Sequence, residues 1–186
     1  MAERSAGGYR DGETGLIVKV PAAEPIVGGW RSQFDFVAAV GVPAHITVLS
    51  PFLDRDRVDA GVSADLDALL ARHQAFDLQL SQCRRFPGVL YLAPEPETEL
   101  RALTADIAGR WPEAPPYGGQ FADVVPHLTI ARDQEPQVFD LIDSDVSGRL
   151  PVSERIASVQ LLVYTGDHWQ EAQSFLLAGD EHASRY

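Results

Sequence analysis

The chain has 186 residues, of which 45% are hydrophobic and 9% aromatic, and a formal net charge of −12 at pH 7, which suits one domain, or two small lobes, with a real core. The acidic balance argues against a broad basic track for long duplex nucleic acid, whose affinity comes largely from neutralising phosphates. It leaves room for a small anionic ligand or a nucleic-acid end. A single cysteine, Cys83, excludes an intrachain disulfide and a cysteine-based zinc site.

Met1 to Thr14, rich in Gly, Arg and acidic residues, reads as a flexible tail. It has no apolar stretch of the secretory kind, and no later run approaches a membrane span, so a cytoplasmic protein that avoids membranes is expected. Leu16 to Val20 is a β-branched run suited to a strand. Pro25 opens a helical pattern, Val27, Trp30, Phe34 and Val37, weakened by Gly28-Gly29 and closed by Gly41 to Pro43. A strand follows from His45. Asp54 to Gly61 is an acidic connector, and Ser63 then caps a helix striped by Leu66, Leu69 and Leu70.

Phe76 to Ser81 alternates cleanly, and Phe86-Pro87-Gly88 turns it into Val89 to Leu92, a hairpin. Leu100, Leu103, Ile107 and Trp111 mark a helix ended by Pro112. A Pro/Gly loop to Gly119 leads to a strand at His127. Pro136 opens a last helix, with Val138, Leu141 and Ile142 inward and Gly148 near its end. Ile156–Tyr164 and Ser174–Ala178 close the chain as strands, and residues 179–186 read as a tail. The strand-helix-strand runs suggest crossovers, the hairpins antiparallel pairing. The expectation is an α+β architecture of two similar lobes spanning residues 15–178, mainly antiparallel.

The chain repeats one element. Pro43-Ala44-His45-Ile46-Thr47-Val48-Leu49-Ser50-Pro51-Phe52 is followed, 82 residues on, by Val125-Pro126-His127-Leu128-Thr129-Ile130-Ala131-Arg132. With apolar residues this frequent and threonine this scarce, two such copies arise by accident in roughly one chain in a few thousand. Strand alternation puts His45 and Thr47 on one face, with Ile46 and Val48 on the other, and sorts His127 and Thr129 from Leu128 and Ile130 in the same way. Imidazole titrates near neutrality, so of two rings facing one cavity one can take a proton while the other gives one. In-line phosphoryl transfer needs that division on opposite sides of phosphorus, and hydroxyl donors to hold the non-bridging oxygens.

These residues closely resemble the paired motifs of the two-histidine phosphoesterase superfamily, which includes 2′-5′ RNA ligases and 2′,3′-cyclic phosphodiesterases. Arg85 to Pro94 and Pro115 to Gly119 also look like bacterial members, and the likeness covers roughly residues 15–178. The resemblance implies a bilobal, pseudo-two-fold fold with helices outside and the site in the cleft between lobes. It implies metal-independent hydrolysis of the 2′,3′-cyclic phosphate of a nucleotide or RNA end, without a cofactor. Carried over, His45 and His127 are catalytic, with His127 leaning to base and His45 to acid, and Thr47 and Thr129 bind phosphate. An RNA 5′-hydroxyl in place of water would make the same step a 2′-5′ ligation.

Weaker candidates surround this quartet. Phe52 could stack on a base or fill the core, while Tyr117 and Phe121 could line the pocket. Arg132 would suit a phosphate clamp, but its parity sets it opposite His127 unless the strand bulges. One of Arg84 and Arg85 could face the cleft. His73, His168 and His182 lack the threonine and read as surface or turn residues. A non-catalytic module binding nucleotides or RNA ends competes with the enzyme. A zinc hydrolase fits poorly, since zinc sites need three or four ligands and Thr is a poor one. A monomer is expected.

Overall fold

The computed structural model describes residues 8–121 and 123–179. Two four-stranded sheets, antiparallel throughout, divide the chain between them. The first sheet takes β1 (Thr14–Lys19), β2 (His45–Leu49), β7 (Ser158–Tyr164) and β8 (Trp169–Leu176) in the order β2-β1-β7-β8. The second takes β3 (Phe76–Phe86), β4 (Val89–Glu95), β5 (Leu128–Arg132) and β6 (Val152–Ile156) in the order β5-β4-β3-β6. Each His-x-Thr strand is thus an edge strand, paired with the strand that precedes it. The strand-helix-strand runs β1 to β2 and β4 to β5 join antiparallel neighbours, not the parallel crossovers that their order suggested.

The helices are α1 (Glu24–Phe34), the single turn α2 (Phe36–Ala39), α3 (Ala60–Leu70), α4 (Thr98–Arg110) and α5 (Pro136–Ser147). They trade places between the lobes. Helix α1, which links two strands of the first sheet, packs on β5 of the second, while α4 packs on β2 of the first. Trp30 Nε1 donates to Asp145 Oδ2 at 2.8 Å to tie α1 to α5, and Thr104 Oγ1 donates to the Val48 carbonyl at 2.7 Å to tie α4 to β2. The exchange locks the two edge strands side by side. Fully buried Ile46, Leu66, Leu70, Leu103, Leu128 and Ile142 belong to one continuous core behind both sheets. Burying each such side chain is worth about 1.5–3 kcal/mol.

Several local expectations shift. Helix α3 is capped by Asp59, whose carboxylate accepts from Val62 N at 2.9 Å, so the helix has already begun by the time the chain reaches Ser63. In α5 the buried stripe is Phe139, Ile142 and Val146, and Leu141 is 61% exposed. Val152–Ile156 is a separate strand, β6, and β8 starts at Trp169, earlier than Ser174. The N-terminal stretch expected to be a tail is partly built in: Gly12 N donates to the Tyr164 carbonyl at 2.8 Å, Thr14 is 1% exposed, and Tyr9 packs edge-on against Trp169. Residues 1–7 and 180–186, with them His182, lie outside the described residues. Among those described, no helix is long and apolar enough to cross a membrane.

Candidate active site

Both motif strands bulge at the same place. In the β1–β2 pairing Leu16 faces Leu49 and Ile17 faces Thr47, leaving Val48 as the extra residue. In the β4–β5 pairing Leu90 faces Ala131 and Tyr91 faces Thr129, leaving Ile130 extra. Each bulge directly follows the motif threonine. An extra residue reverses the parity of the positions after it, so the third residue after each Thr, Ser50 and Arg132, turns toward the cleft instead of away. Arg132 Nη2 donates to Thr129 Oγ1 at 3.2 Å. The bulge that would bring Arg132 to the histidines is present.

The histidines are held alike. His45 Nδ1 lies 2.7 Å from the Pro43 carbonyl oxygen, and His127 Nδ1 lies 2.7 Å from that of Val125. A carbonyl oxygen can only accept, so Nδ1 carries the proton in each ring and Nε2 is left to the cleft. The backbone beneath His45 is pinned: Glu24 Oε1 accepts from Ala44 N, and Val20 N donates to the Ala44 carbonyl at 2.8 Å. His127 is packed edge-on by Phe86 and Tyr91, with ring centroids at 5.3 and 5.5 Å.

Burial dominates the electrostatics. It pushes the His45 pKa down to about 4, assisted by the positive charge of Arg31 and opposed by the Pro43 carbonyl and Asp35. Burial also lowers the His127 pKa, with Arg132 assisting and the Val125 carbonyl opposing. Both shifts favour the neutral ring at pH 7. An arriving phosphate, by its negative charge, favours the imidazolium form.

Behind the quartet sits a buried ion chain. Asp35 Oδ2 accepts from Arg31 Nε at 3.2 Å and Nη2 at 3.0 Å, and Arg31 Nη2 also donates to the Val42 carbonyl at 3.2 Å. Asp35 Oδ1 accepts from Arg132 Nε at 3.2 Å. Arg31 is 2% exposed and the Asp35 side chain 0%. The α1–α2 corner thereby aims an arginine of the opposite lobe.

Two cavities open on the quartet. One, about 490 Å³, is lined by His45, Thr47, His127, Thr129 and Arg132 together with Phe86, Tyr117 and Phe121. The other, about 320 Å³, shares His45, Thr47, Tyr117 and Arg132 and is walled by Tyr9, Phe36 and Trp169. Tyr117 holds a left-handed φ of 51°, a costly conformation outside glycine. Its N–H donates to the Ser50 carbonyl at 2.8 Å, its hydroxyl reaches Thr47, and burial raises its pKa.

Of the sequence-derived candidates, the structure brings His45, Thr47, His127, Thr129, Tyr117, Phe121 and Arg132 to one cleft. Phe52 is the correction among the substrate candidates: it is 6% exposed, packs edge-on against Trp111 at 5.3 Å, and lines neither cavity, because its ring fills the core beneath α4. Arg85 is drawn outward to Asp140 at 2.8 Å and Asp143 at 3.2 Å. Arg84 is exposed and lines neither cavity. His73 Nε2 lies 3.0 Å from Asp106 Oδ2, out of hydrogen-bond alignment, and His168 stands in the exposed β7–β8 turn.

Sequence reasoning missed Arg31 and Asp35, which read as ordinary helix charges. It also missed Tyr9, Phe36, Phe86 and Trp169. Only for Phe86, beside an obvious hairpin turn, was there a local signal of position.

Comparison with known proteins fits this geometry. A model of the 2′-5′ RNA ligase superfamily matches residues 18–168. A Bacillus cereus (strain G9842) protein, whose name provisionally makes it a phosphoesterase, is 28% identical over 134 residues, 68% of this chain and 70% of that one. E. coli LigT complexed with 3′-AMP superposes with a TM-score of 0.57 at 18% identity, over 89% of this chain and 97% of that one. TT0787 of Thermus thermophilus gives 0.58 at 20% identity, over 90% and 99%. The structural likeness extends the two-lobed α+β fold to this chain. The family match covers most of its length, including both His-x-Thr strands: the chain belongs to the 2′-5′ RNA ligase superfamily.

Proposed function

We propose that the protein is a metal-independent phosphoesterase that hydrolyses 2′,3′-cyclic phosphates of nucleotides or RNA ends. The observation that carries the reading is the matched pair of rings, each with Nδ1 held by a carbonyl at 2.7 Å and Nε2 left to a shared cleft. His127 takes a proton from water as that water attacks phosphorus. His45, charged once phosphate is bound, gives its proton to the departing 3′ oxygen, and a 2′-phosphate remains. Thr47 and Thr129 donate to the non-bridging oxygens, and Arg132 offsets their growing charge. Nucleotide-complexed LigT structures, with 3′-AMP and with NADP+, support a nucleotide substrate.

Ligation is the second reading, favoured by a second cavity that meets the first at His45, Thr47, Tyr117 and Arg132. There an RNA 5′-hydroxyl replaces water and a 2′-5′ linkage forms. The test is product identification with a cyclic mononucleotide and with RNA ending in a cyclic phosphate, in excess EDTA. A 2′-phosphate product at undiminished rate is expected. Loss of turnover in EDTA, or no turnover of any cyclic phosphate, overturns the reading.

A further inference from the structure

The two His-x-Thr strands are approached by backbone that is anchored unequally. Ahead of His45, Ala44 is held on both sides, its N–H by the Glu24 carboxylate and its carbonyl by Val20 N at 2.8 Å. Ahead of His127, Asp123 to Pro126 lie in no helix or strand. Among the described residues, no backbone–backbone hydrogen bond outside the sheets reaches them. One side chain does. Arg101 Nη1 donates to Asp123 Oδ1 and to the Val124 carbonyl, each at 2.8 Å, while Arg101 Nε donates to Glu97 Oε2 at 3.0 Å.

That grip reaches the ring. Between the Val124 carbonyl and His127 the chain passes only Val125 and Pro126. Proline fixes its own φ and confines the residue before it to extended conformations. The Val125 carbonyl, which accepts from His127 Nδ1 at 2.7 Å, lies inside this stiff link. Arg101 has a firm base: it stands on α4 among Leu100, Leu103 and Ile107, none more than 1% exposed. Thr104, three residues on and therefore a neighbour on the helix surface, donates to the carbonyl of Val48, the bulged residue after the first motif. One side of α4 thus holds the bulge of one His-x-Thr strand and the approach to the other.

We infer that Arg101 is a positioning residue for His127: it fixes the segment from Asp123 to Val125 against α4 and thereby sets Nε2 of that ring toward the cleft, a role that rests on the proposed use of His127 as the base. Arg101 lines neither cavity, so it acts through the ring and not on the substrate. Its planar guanidinium meets Glu97 on its own helix and two acceptors of the segment at once, a geometry that an ammonium does not reproduce. Without it the link from Val124 to His127 stays stiff but loses its anchor, and the ring moves with the segment. A misplacement of about 1 Å at a reacting group can cost about 10²-fold in rate.

The test is Arg101→Ala in the full chain, read by kcat for 2′,3′-cyclic AMP, by thermal unfolding and by heteronuclear NMR of the histidine rings. The Arg101 and Asp123 side chains are 38% and 72% exposed, and ion pairs this open add little to stability. The expected result is a kcat lowered by about tenfold to a hundredfold at a near-native unfolding midpoint. The His127 ring should lose its single Nδ1–H tautomer while the His45 ring keeps its own. Wild-type kcat in Arg101→Ala, an unaltered His127 ring, or an equal disturbance of both rings overturns the inference and leaves the proposed function standing. A wild type that turns over no cyclic phosphate, with the His127 ring alone disturbed in Arg101→Ala, does the reverse.

Discussion

Asp35 Oδ1 accepts a hydrogen bond from Arg132 Nε at 3.2 Å, although the two residues belong to different lobes and stand 97 positions apart. Asp35 is wholly buried, and Arg31 closes on its other oxygen. Removing one partner of a buried pair leaves the others charged and uncompensated, which costs about 3–5 kcal/mol. Asp35→Ala should therefore lower unfolding stability by roughly that amount in urea. Unchanged stability would show that the ion chain is not what joins α1 to β5.

The pH dependence follows from the direction of the two histidine shifts. In the free protein burial depresses both pKa values, that of His45 to about 4. The profile of kcat/KM reports the free enzyme, so its bell should be centred on the acid side of the ordinary histidine value of about 6.5. Bound phosphate stabilises imidazolium, so the kcat profile should move to higher pH. In an NMR titration the His45 ring should titrate far below its ordinary value of about 6.5 when free and rise on binding a nucleotide. A flat profile from acid to alkaline pH, or a His45 titration indifferent to ligand, contradicts the acid–base assignment.

The threonines separate binding of phosphate from support of the fold. Thr47→Val and Thr129→Val keep side-chain shape and delete one donor each. Loss of a preorganised donor to a developing charge costs about 10²–10³ in kcat. A fall of that size with near-native thermal stability is expected for each. Equal kcat in the variants and wild type would remove the hydroxyls from the phosphate site.

Much of this site was legible because His-x-Thr alternation is a local rule: a strand must put residues two apart on one face. Phe76 to Ser81 and the Phe86-Pro87-Gly88 turn were legible for the same reason. Arg132 was legible only conditionally, since simple alternation sends it away and nothing in Ile130 announces the bulge that returns it. The Arg31–Asp35 pair has the spacing of a solvent-exposed helix pair, and only packing against the opposite lobe buries it. Tyr9 sits in a Gly-rich polar stretch whose order depends on the far end of the chain, through Tyr164 and Trp169. β6 has apolar residues only at its ends, Val152 and Ile156, too few for alternation to register. Leu141 kept the helical period but lies on the face of α5 that nothing covers.

The central claim is that His45 and His127 are one catalytic unit, and turnover of a 2′,3′-cyclic nucleotide by His45→Ala and His127→Ala tests it most directly. Loss of a general acid or base costs about 10²–10⁴ in rate, so each variant should lose at least about a hundredfold in kcat while binding of the nucleotide persists. Wild-type turnover in either variant would contradict the account.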